Sequence, residues 1–158
     1  MKKLRSRKGM TFVELVTALL IMALVALAVA SGVTAALRHY NQSVEKADAR
    51  TLCNTLSQAV MDELRFAQQI TGTTAPSYFS MSHGMVVTMY VDDITGQIML
   101  GDEMPLVGSG AYNGMRTALS YTYGSGVFNV ALEVYAADDY AMSEPLQETQ
   151  FRVRTVMS

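Results

Sequence analysis

The first part of the chain is distinguished by an apolar run. From Leu15 to Leu37 the only polar residues are Thr17, Ser31 and Thr34. A helix of that length, at about 1.5 Å per residue, would extend about 34 Å, which is enough to cross the hydrocarbon core of a membrane. The pattern therefore predicts a membrane-spanning helix over Leu15–Leu37.

The next stretch, from Arg38 to Ile70, has an amphipathic pattern and contains neither Gly nor Pro. Apolar residues recur there every three to five positions, and this spacing places them on one face of a helix. These residues are Tyr40, Val44, Ala47, Leu52, Leu56, Val60, Leu64, Ala67 and Ile70. Together the two patterns predict one helix of about sixty residues over Thr11–Ile70, with Gly72 as its stop.

Beyond this helix the pattern changes to short β-rich runs separated by turn residues. Met85–Val91 and Gln97–Leu100 flank the turn-forming sequence Asp92–Gly96, so they predict a hairpin. The segment Gly108–Gly114 is rich in Gly and Ser and is predicted to be a loop.

A second hairpin is predicted around Gly124-Ser125-Gly126, between strands over Thr117–Tyr123 and Val127–Ala136. Alternation along the second of these strands sends one set of side chains inward: Phe128, Val130, Leu132 and Val134. A last strand is predicted over Gln147–Val156, with Phe151 and Val153 inward and Arg152 and Arg154 outward. The chain is thus predicted to be α+β, with a long N-terminal helix packed on a four- or five-stranded antiparallel sheet.

Charge is distributed unevenly along the chain. The first nine residues carry five basic side chains, Lys2, Lys3, Arg5, Arg7 and Lys8. Without them, 7 basic and 14 acidic residues remain, a net charge of 7 − 14 = −7. Basic residues before an apolar span keep that end in the cytoplasm. The acidic remainder argues against direct nucleic-acid binding through bulk charge.

Glu14 is a carboxylate at the front of the apolar run, five residues beyond Gly9. An ionised side chain within a membrane costs at least about 2.5 kcal/mol, so such a residue is a functional hypothesis by default. Cleavage after Gly9 would create an α-amino group at Met10, which Glu14 could neutralise.

The sequence Lys8-Gly9-Met10-Thr11-Phe12-Val13-Glu14, followed by the apolar run, resembles the class III leader of type IV pilins and pseudopilins. The resemblance covers about Lys8 to Leu37. It implies a leader over 1–9, a transmembrane half-helix over 10–37 and an extracytoplasmic pilin-like α+β domain over 38–158. It also implies processing at Lys8, Gly9 and Met10, N-methylation of Met10, and assembly through Thr11, Phe12 and Glu14.

The function implied by the resemblance is structural and not enzymatic, with no cofactor. The chain would be a subunit of a type IV pilus-like filament, with a minor pilin or a pseudopilin favoured. Its implied partners are a prepilin peptidase/methyltransferase, other pilin subunits, the pilus or secretion assembly machinery and the membrane. An alternative within the same family is a pseudopilin of a type II secretion or competence system for DNA uptake.

An alternative interpretation is that the N-terminal segment is a secretory signal peptide. Ala28-Val29-Ala30 before Ser31 fits a signal peptidase site after a basic and apolar segment. The chain would then be a soluble exported binding domain cut after Ala30. Glu14 at the start of the apolar core and the continuing helical pattern argue against this alternative.

Few side chains suggest further chemistry. Cys53 is the only cysteine, so it forms no intramolecular disulfide, and its place on the apolar face favours burial. His39 and His83 are far apart and lack companions at metal-ligand spacing. The acidic pairs Asp92-Asp93, Asp102-Glu103 and Asp138-Asp139 favour turns over a calcium site, because calcium needs six to eight oxygens. No metal site is therefore predicted.

Overall fold

The computed structural model describes residues 11–102 and 104–156. The chain divides into two compact units, Met1–Ser43 and Val44–Ser158. In the first unit the described residues are almost entirely helical, and all of them are exposed. The second unit contains the strands and the apolar core.

A single helix, α1, runs over Phe12–Arg65 and includes residues of both units. The predicted long helix is thus confirmed, but its predicted end at Ile70 is wrong. Ile70 belongs to a strand over Gln68–Thr71 that pairs with a neighbouring strand. Its side chain still packs against the core, which explains why its spacing fitted the helical pattern. Gly72 therefore follows this strand and does not end the helix.

Within residues 11–102 and 104–156, nine strands form three antiparallel sheets of three strands each, in the orders β1-β2-β3, β4-β5-β6 and β7-β8-β9. The α+β class, with a long helix on antiparallel strands, is confirmed, although the strands form three sheets where one of four or five was expected. The strands are β1 (Gln68–Thr71), β2 (Ser77–Ser80), β3 (Met85–Val87), β4 (Met89–Val91), β5 (Ile98–Leu100), β6 (Met104–Pro105), β7 (Arg116–Gly124), β8 (Val127–Tyr135) and β9 (Gln147–Arg154). A short 3-10 helix lies at Ser109–Tyr112.

The first predicted hairpin is present with one modification. Its first arm is divided at Thr88, so that β3 pairs with β2 while β4 pairs with β5. The backbone N–H of Gly101 donates to the Thr88 carbonyl at 3.0 Å. One continuous β-rich sequence therefore contributes to two sheets.

The second predicted hairpin and the last strand are confirmed. Strands β7 and β8 pair along their whole length around Ser125 and Gly126, both of which have positive φ, 54° and 78°. A two-residue turn with positive φ at both positions matches the right-handed twist of the strands that it joins. Strand β9 pairs with the other edge of β8.

The core consists of two adjoining apolar clusters along the part of α1 that lies in the second unit. Residues of α1 between Ala49 and Leu56 pack with Leu132 and Val134 of β8. Farther along α1, Val60 and Leu64 pack with residues of all three sheets: Tyr78, Val87, Met89, Leu100, Tyr121, Phe128, Val130 and Val153. Helix α1 thus covers the inner face of the β7-β8-β9 sheet from one end to the other.

Candidate functional site

The first turn of α1 is closed by reciprocal hydrogen bonds between Thr11 and Glu14. The Glu14 backbone N–H donates to Thr11 Oγ1 at 3.3 Å. In the opposite direction, the Thr11 backbone N–H donates to Glu14 Oε2 at 3.4 Å. This is a capping box, which satisfies two backbone donors that a helix N-terminus leaves free. Glu14 is therefore held by its own chain at the first turn.

The charge of Glu14 is also favourably placed for the helix itself. The aligned peptide dipoles of a helix give its N-terminus a partial positive charge, which stabilises a nearby carboxylate. Glu14 is the acidic residue in the first turn of α1. Two of the three predicted assembly residues, Thr11 and Glu14, are thus brought together, while Phe12 beside them is 80% exposed.

The three hydroxyl side chains of the apolar run are all bonded within the helix. Thr17 Oγ1 donates to the Val13 carbonyl at 3.0 Å. Ser31 Oγ donates to the Ala28 carbonyl and Thr34 Oγ1 to the Ala30 carbonyl, each at 2.9 Å. Because these donors are satisfied internally, the run presents little unmet polarity to an apolar surrounding.

Helix α1 is long and apolar enough to cross a membrane. Its apolar segment is exposed throughout, and the large side chains Leu19, Leu20, Met22, Leu24 and Leu27 are all at least 59% exposed. A contiguous apolar surface of this size marks an interaction with a membrane or with other proteins.

The predicted processing residues Lys8, Gly9 and Met10, including the predicted methylation site at Met10, lie outside the described residues. The nearest described group is the Thr11 backbone N–H, which already bonds to Glu14. The carboxylate that is predicted to pair with a Met10 amine therefore accepts from the backbone of Thr11, the residue that follows Met10 in the sequence.

A buried carboxylate, Glu63 on α1, faces the β2–β3 turn in the second unit. Glu63 is 7% exposed, and its Oε2 lies 4.0 Å from Nδ1 of His83. Ser80 Oγ bonds the same His83 nitrogen at 3.0 Å. Glu63 Oε1 and the hydroxyl of Tyr78 are buried without a protein partner. Burial, followed by the charge of Glu63, raises the pKa of Tyr78.

Arg116 is a buried arginine that holds the β4–β5 turn. Its Nη1 donates to the Ile94 carbonyl at 3.0 Å and its Nη2 to the Asp93 carbonyl at 2.6 Å. Its guanidinium also lies 5.1 Å from the ring centroid of Tyr140, a cation–π distance. A Cβ on Gly96 would come within 2.8 Å of the Arg116 side chain, so glycine is needed at that position.

Two of the acidic pairs, Asp92-Asp93 and Asp138-Asp139, serve turns as their sequence suggests, while Glu103 of the third pair lies outside the described residues. Asp92 Oδ2 accepts hydrogen bonds from the backbone N–H of Thr95 at 3.0 Å and from its hydroxyl, and these bonds lower the pKa of Asp92. Asp139 Oδ2 accepts from the backbone N–H of Ser143 at 2.9 Å. Within 11–102 and 104–156, no group of three or more His, Cys, Asp or Glu side chains could hold a metal ion.

Cys53 is 2% exposed in the core cluster along α1, and burial raises the pKa of its thiol. A buried thiol that resists ionisation is a poor nucleophile. The prediction of a buried cysteine is thus confirmed. His39 is exposed on α1.

Sequence reasoning missed several of these arrangements. The capping box was visible as the Thr-x-x-Glu signature at the start of the apolar run, but Glu14 was interpreted only as a partner for an amine. The contact of Glu63 with His83, and that of Arg116 with the β4–β5 turn, join residues distant in sequence and have no local signature.

Comparisons with known proteins give no further assignment: no family model, curated protein or solved structure matches the chain. The functional argument therefore depends on the residues of the chain and on their geometry.

Proposed function

We propose that the chain is a structural subunit of a type IV pilus-like filament. The sequence around Gly9 is the most specific feature that supports this proposal. It is made as a membrane precursor with its basic leader in the cytoplasm. A prepilin peptidase cuts it after Gly9 and methylates the new N-terminus at Met10. The processed subunits then polymerise through their N-terminal helices. The proposal extends to a pseudopilin of a secretion or competence system, which would use the same residues.

The observation that carries the proposal is the placement of Glu14. Its carboxylate lies at the first turn of an exposed apolar helix, 3.4 Å from the Thr11 backbone nitrogen. The predicted cut would create an α-amino group one residue farther upstream. A carboxylate and an amine buried together in an apolar setting offset part of each other's desolvation cost.

Assembly follows from the pairing of Glu14 with the amine of a neighbouring subunit. The capping box keeps the carboxylate fixed at the end of the helix and leaves it oxygen lone pairs for a second donor. Pairing with a neighbour would set the axial register between two helices. A contact of this head-to-tail kind does not close, so it builds a filament.

The proposal is tested by expressing the chain together with a prepilin peptidase and comparing Gly9→Val with Ser6→Val. Both variants add an apolar side chain to the leader, but only the first adds one at the cleavage site. We expect an immunoblot to show uncut precursor for Gly9→Val and normal cleavage for Ser6→Val. Cleavage of Gly9→Val at the wild-type rate would contradict the proposal.

A further inference from the structure

The outward face of the β7-β8-β9 sheet carries a concentration of negative charge at one end. Glu133 on β8 lies directly opposite Glu148 on β9. Like charges in that position destabilise a sheet. The Glu133 hydrogen bond, burial and the charges of Glu133, Asp139 and Glu148 raise the pKa of Tyr135 to about 12, so all three carboxylates act on this one tyrosine. We call Glu133, Asp139 and Glu148 the acidic pole.

The other end of β9 lines a basic groove. Arg152 and Arg154 of β9 and Arg65 of α1 surround a cavity of about 410 Å³. The rest of its lining is Gln58, Met61, Asp62 and Val153. All three arginines are exposed. They are half of the six basic residues between Val44 and Ser158, and we call them the basic pole.

Within the part of the chain that the structure describes, neither pole takes part in an ion pair, and Asp62, which lines the basic groove beside the three arginines, leaves that groove a net positive charge. The one ion pair found among the described residues joins His83 and Glu63 and involves neither pole. The poles also cannot reach each other in one molecule. Arg152 and Arg154 are four and six positions from Glu148 on an extended strand, a separation of about 13–20 Å. This exceeds the screening length of about 8 Å at physiological salt.

The two poles lie beside successive parts of α1, the acidic pole nearer its N-terminus and the basic pole nearer its C-terminus. The β8 residues at the acidic end, Leu132 and Val134, pack with the part of α1 between Ala49 and Leu56. The residues at the basic end, Phe128 and Val153, pack with Val60 and Leu64. A second copy displaced along the helix direction would therefore bring its acidic pole beside the basic pole of the first.

We propose that the basic pole of one copy binds the acidic pole of a second copy. The partner is a second copy because one chain presents both complementary surfaces. The contact is head-to-tail and does not close. It deepens the proposed function by naming a contact between the second units, Val44–Ser158, of neighbouring subunits. It requires no cleavage at Gly9, so it can be tested separately from that function.

The first test identifies the contact chemically. The full chain is purified in detergent with micelles in excess, so that each apolar helix occupies its own micelle. The second units, Val44–Ser158, can then associate without contact between the apolar helices. Arg152→Lys/Arg154→Lys keeps both charges and supplies amines for carbodiimide, which joins amines to carboxylates at zero length. With a mixture of isotopically labelled and unlabelled copies, we expect intermolecular peptides that link position 152 or 154 to Glu133, Asp139 or Glu148. Absence of such peptides, or linkage to other carboxylates at equal yield, would overturn the proposal.

The second test exchanges the charges. Arg152→Glu/Arg154→Glu makes both poles acidic, and Glu133→Lys/Glu148→Lys makes the acidic pole basic. With self-association in micelles measured by analytical ultracentrifugation, we expect either variant alone to associate at least about tenfold more weakly than wild type, and association to recover when the two are mixed, because complementarity is then restored. Lys46→Glu/Arg50→Glu is the matched control for Arg152→Glu/Arg154→Glu, since it makes the same change in net charge at exposed positions of α1. No recovery in the mixture would contradict the contact. Should Glu133→Lys/Glu148→Lys unfold, Glu133→Gln/Glu148→Lys takes its place.

Discussion

Thr11 and Glu14 bond to each other in both directions at the first turn of α1. The Thr11 hydroxyl accepts from the Glu14 backbone, and the Glu14 carboxylate accepts from the Thr11 backbone. Glu14 can therefore act in two ways: it caps its own helix, and it supplies a negative charge for a partner. These two roles depend on different properties of the side chain, so substitution can separate them.

Our first prediction separates capping from pairing. Glu14→Gln keeps an oxygen that can close the capping box but removes the charge. Thr11→Ala removes the hydroxyl of the cap, at a cost of about 0.5–2 kcal/mol, but keeps the carboxylate. We expect the amount of sheared filament to fall strongly for Glu14→Gln and only slightly for Thr11→Ala. The reverse order would mean that Glu14 acts as a cap alone.

Glu14→Leu extends this comparison to membrane insertion. Removal of a charge from the apolar segment favours insertion by up to about 2.5–3.5 kcal/mol. We therefore expect the membrane level of processed Glu14→Leu to equal or exceed that of wild type while the filament fraction falls. Fractionation and quantitative immunoblotting measure both quantities in one sample. If the two fall together, the defect lies in insertion and not in assembly.

Cys53 is expected to be chemically inert in the folded protein. Because it is buried and burial raises its thiol pKa, iodoacetamide at pH 8 should label it more than about tenfold more slowly in buffer than in urea. Thr55→Cys in a Cys53→Ala background is the control, since Thr55 is exposed on the same helix. Equal labelling rates for positions 53 and 55 in the folded protein would show that the helix is not packed as described.

The contact between Glu63 and His83 should appear as an energetic coupling. His83→Ala removes the group that bonds Ser80 and lies nearest to the buried carboxylate, so we expect a loss of about 1–3 kcal/mol in the free energy of unfolding. In a Glu63→Gln background this loss should shrink, because no buried charge remains. Urea unfolding of the wild type, the two single variants and the double variant forms a double-mutant cycle that measures the coupling. Additivity within about 0.5 kcal/mol would contradict the contact, and His39→Ala, on the exposed surface of α1, is the matched control.

Stability should decline at alkaline pH, and Tyr121 is one of the groups that cause the decline. Its hydroxyl accepts from the Met89 backbone N–H at 3.0 Å and donates to the Pro76 carbonyl at 3.2 Å. Burial raises the pKa of Tyr121 to about 12. The folded state therefore keeps a proton that the unfolded state loses near pH 10, so the contribution of Tyr121 is present below about pH 10 and is lost between about pH 10 and 12.

This contribution is tested with two phenylalanine variants. Tyr121→Phe should lower the stability at neutral pH by about 1–3 kcal/mol, because the Met89 N–H loses its partner. It should also reduce the decline between pH 10 and 12 by on the order of 2–3 kcal/mol. Tyr140→Phe is the control, since that ring is 76% exposed. Identical pH profiles for Tyr121→Phe and wild type would contradict the assignment.

The parts of the fold that were predicted correctly have strong local patterns. Alternation in β8 identified Phe128 and Val130 as core residues, and the apolar run identified the first half of α1. The helix end was missed because Ile70 continues the helical spacing while it lies in a strand. Strands β1 and β2 were missed because each is only four residues long, which is too short to show a clear alternation of apolar and polar positions.

The candidate site, like the fold, was predictable where it depends on a local motif and not where it depends on distant residues. The residues Thr11, Phe12 and Glu14 have a recognisable local motif, and the structure brings Thr11 and Glu14 together. The poles of the β7-β8-β9 sheet could not be anticipated in the same way. Glu133 and Glu148 are far apart along the chain, and they oppose each other only through the register of β8 with β9.

The central claim is that the chain is cut after Gly9 and assembled from Met10. The most direct test is the mass of the N-terminal peptide of the membrane-associated protein from cells that contain a prepilin peptidase. We expect a peptide that begins at N-methylated Met10, and its loss in cells without the peptidase. A mature N-terminus at Ser31, or an intact Met1 in cells with active peptidase, would contradict it.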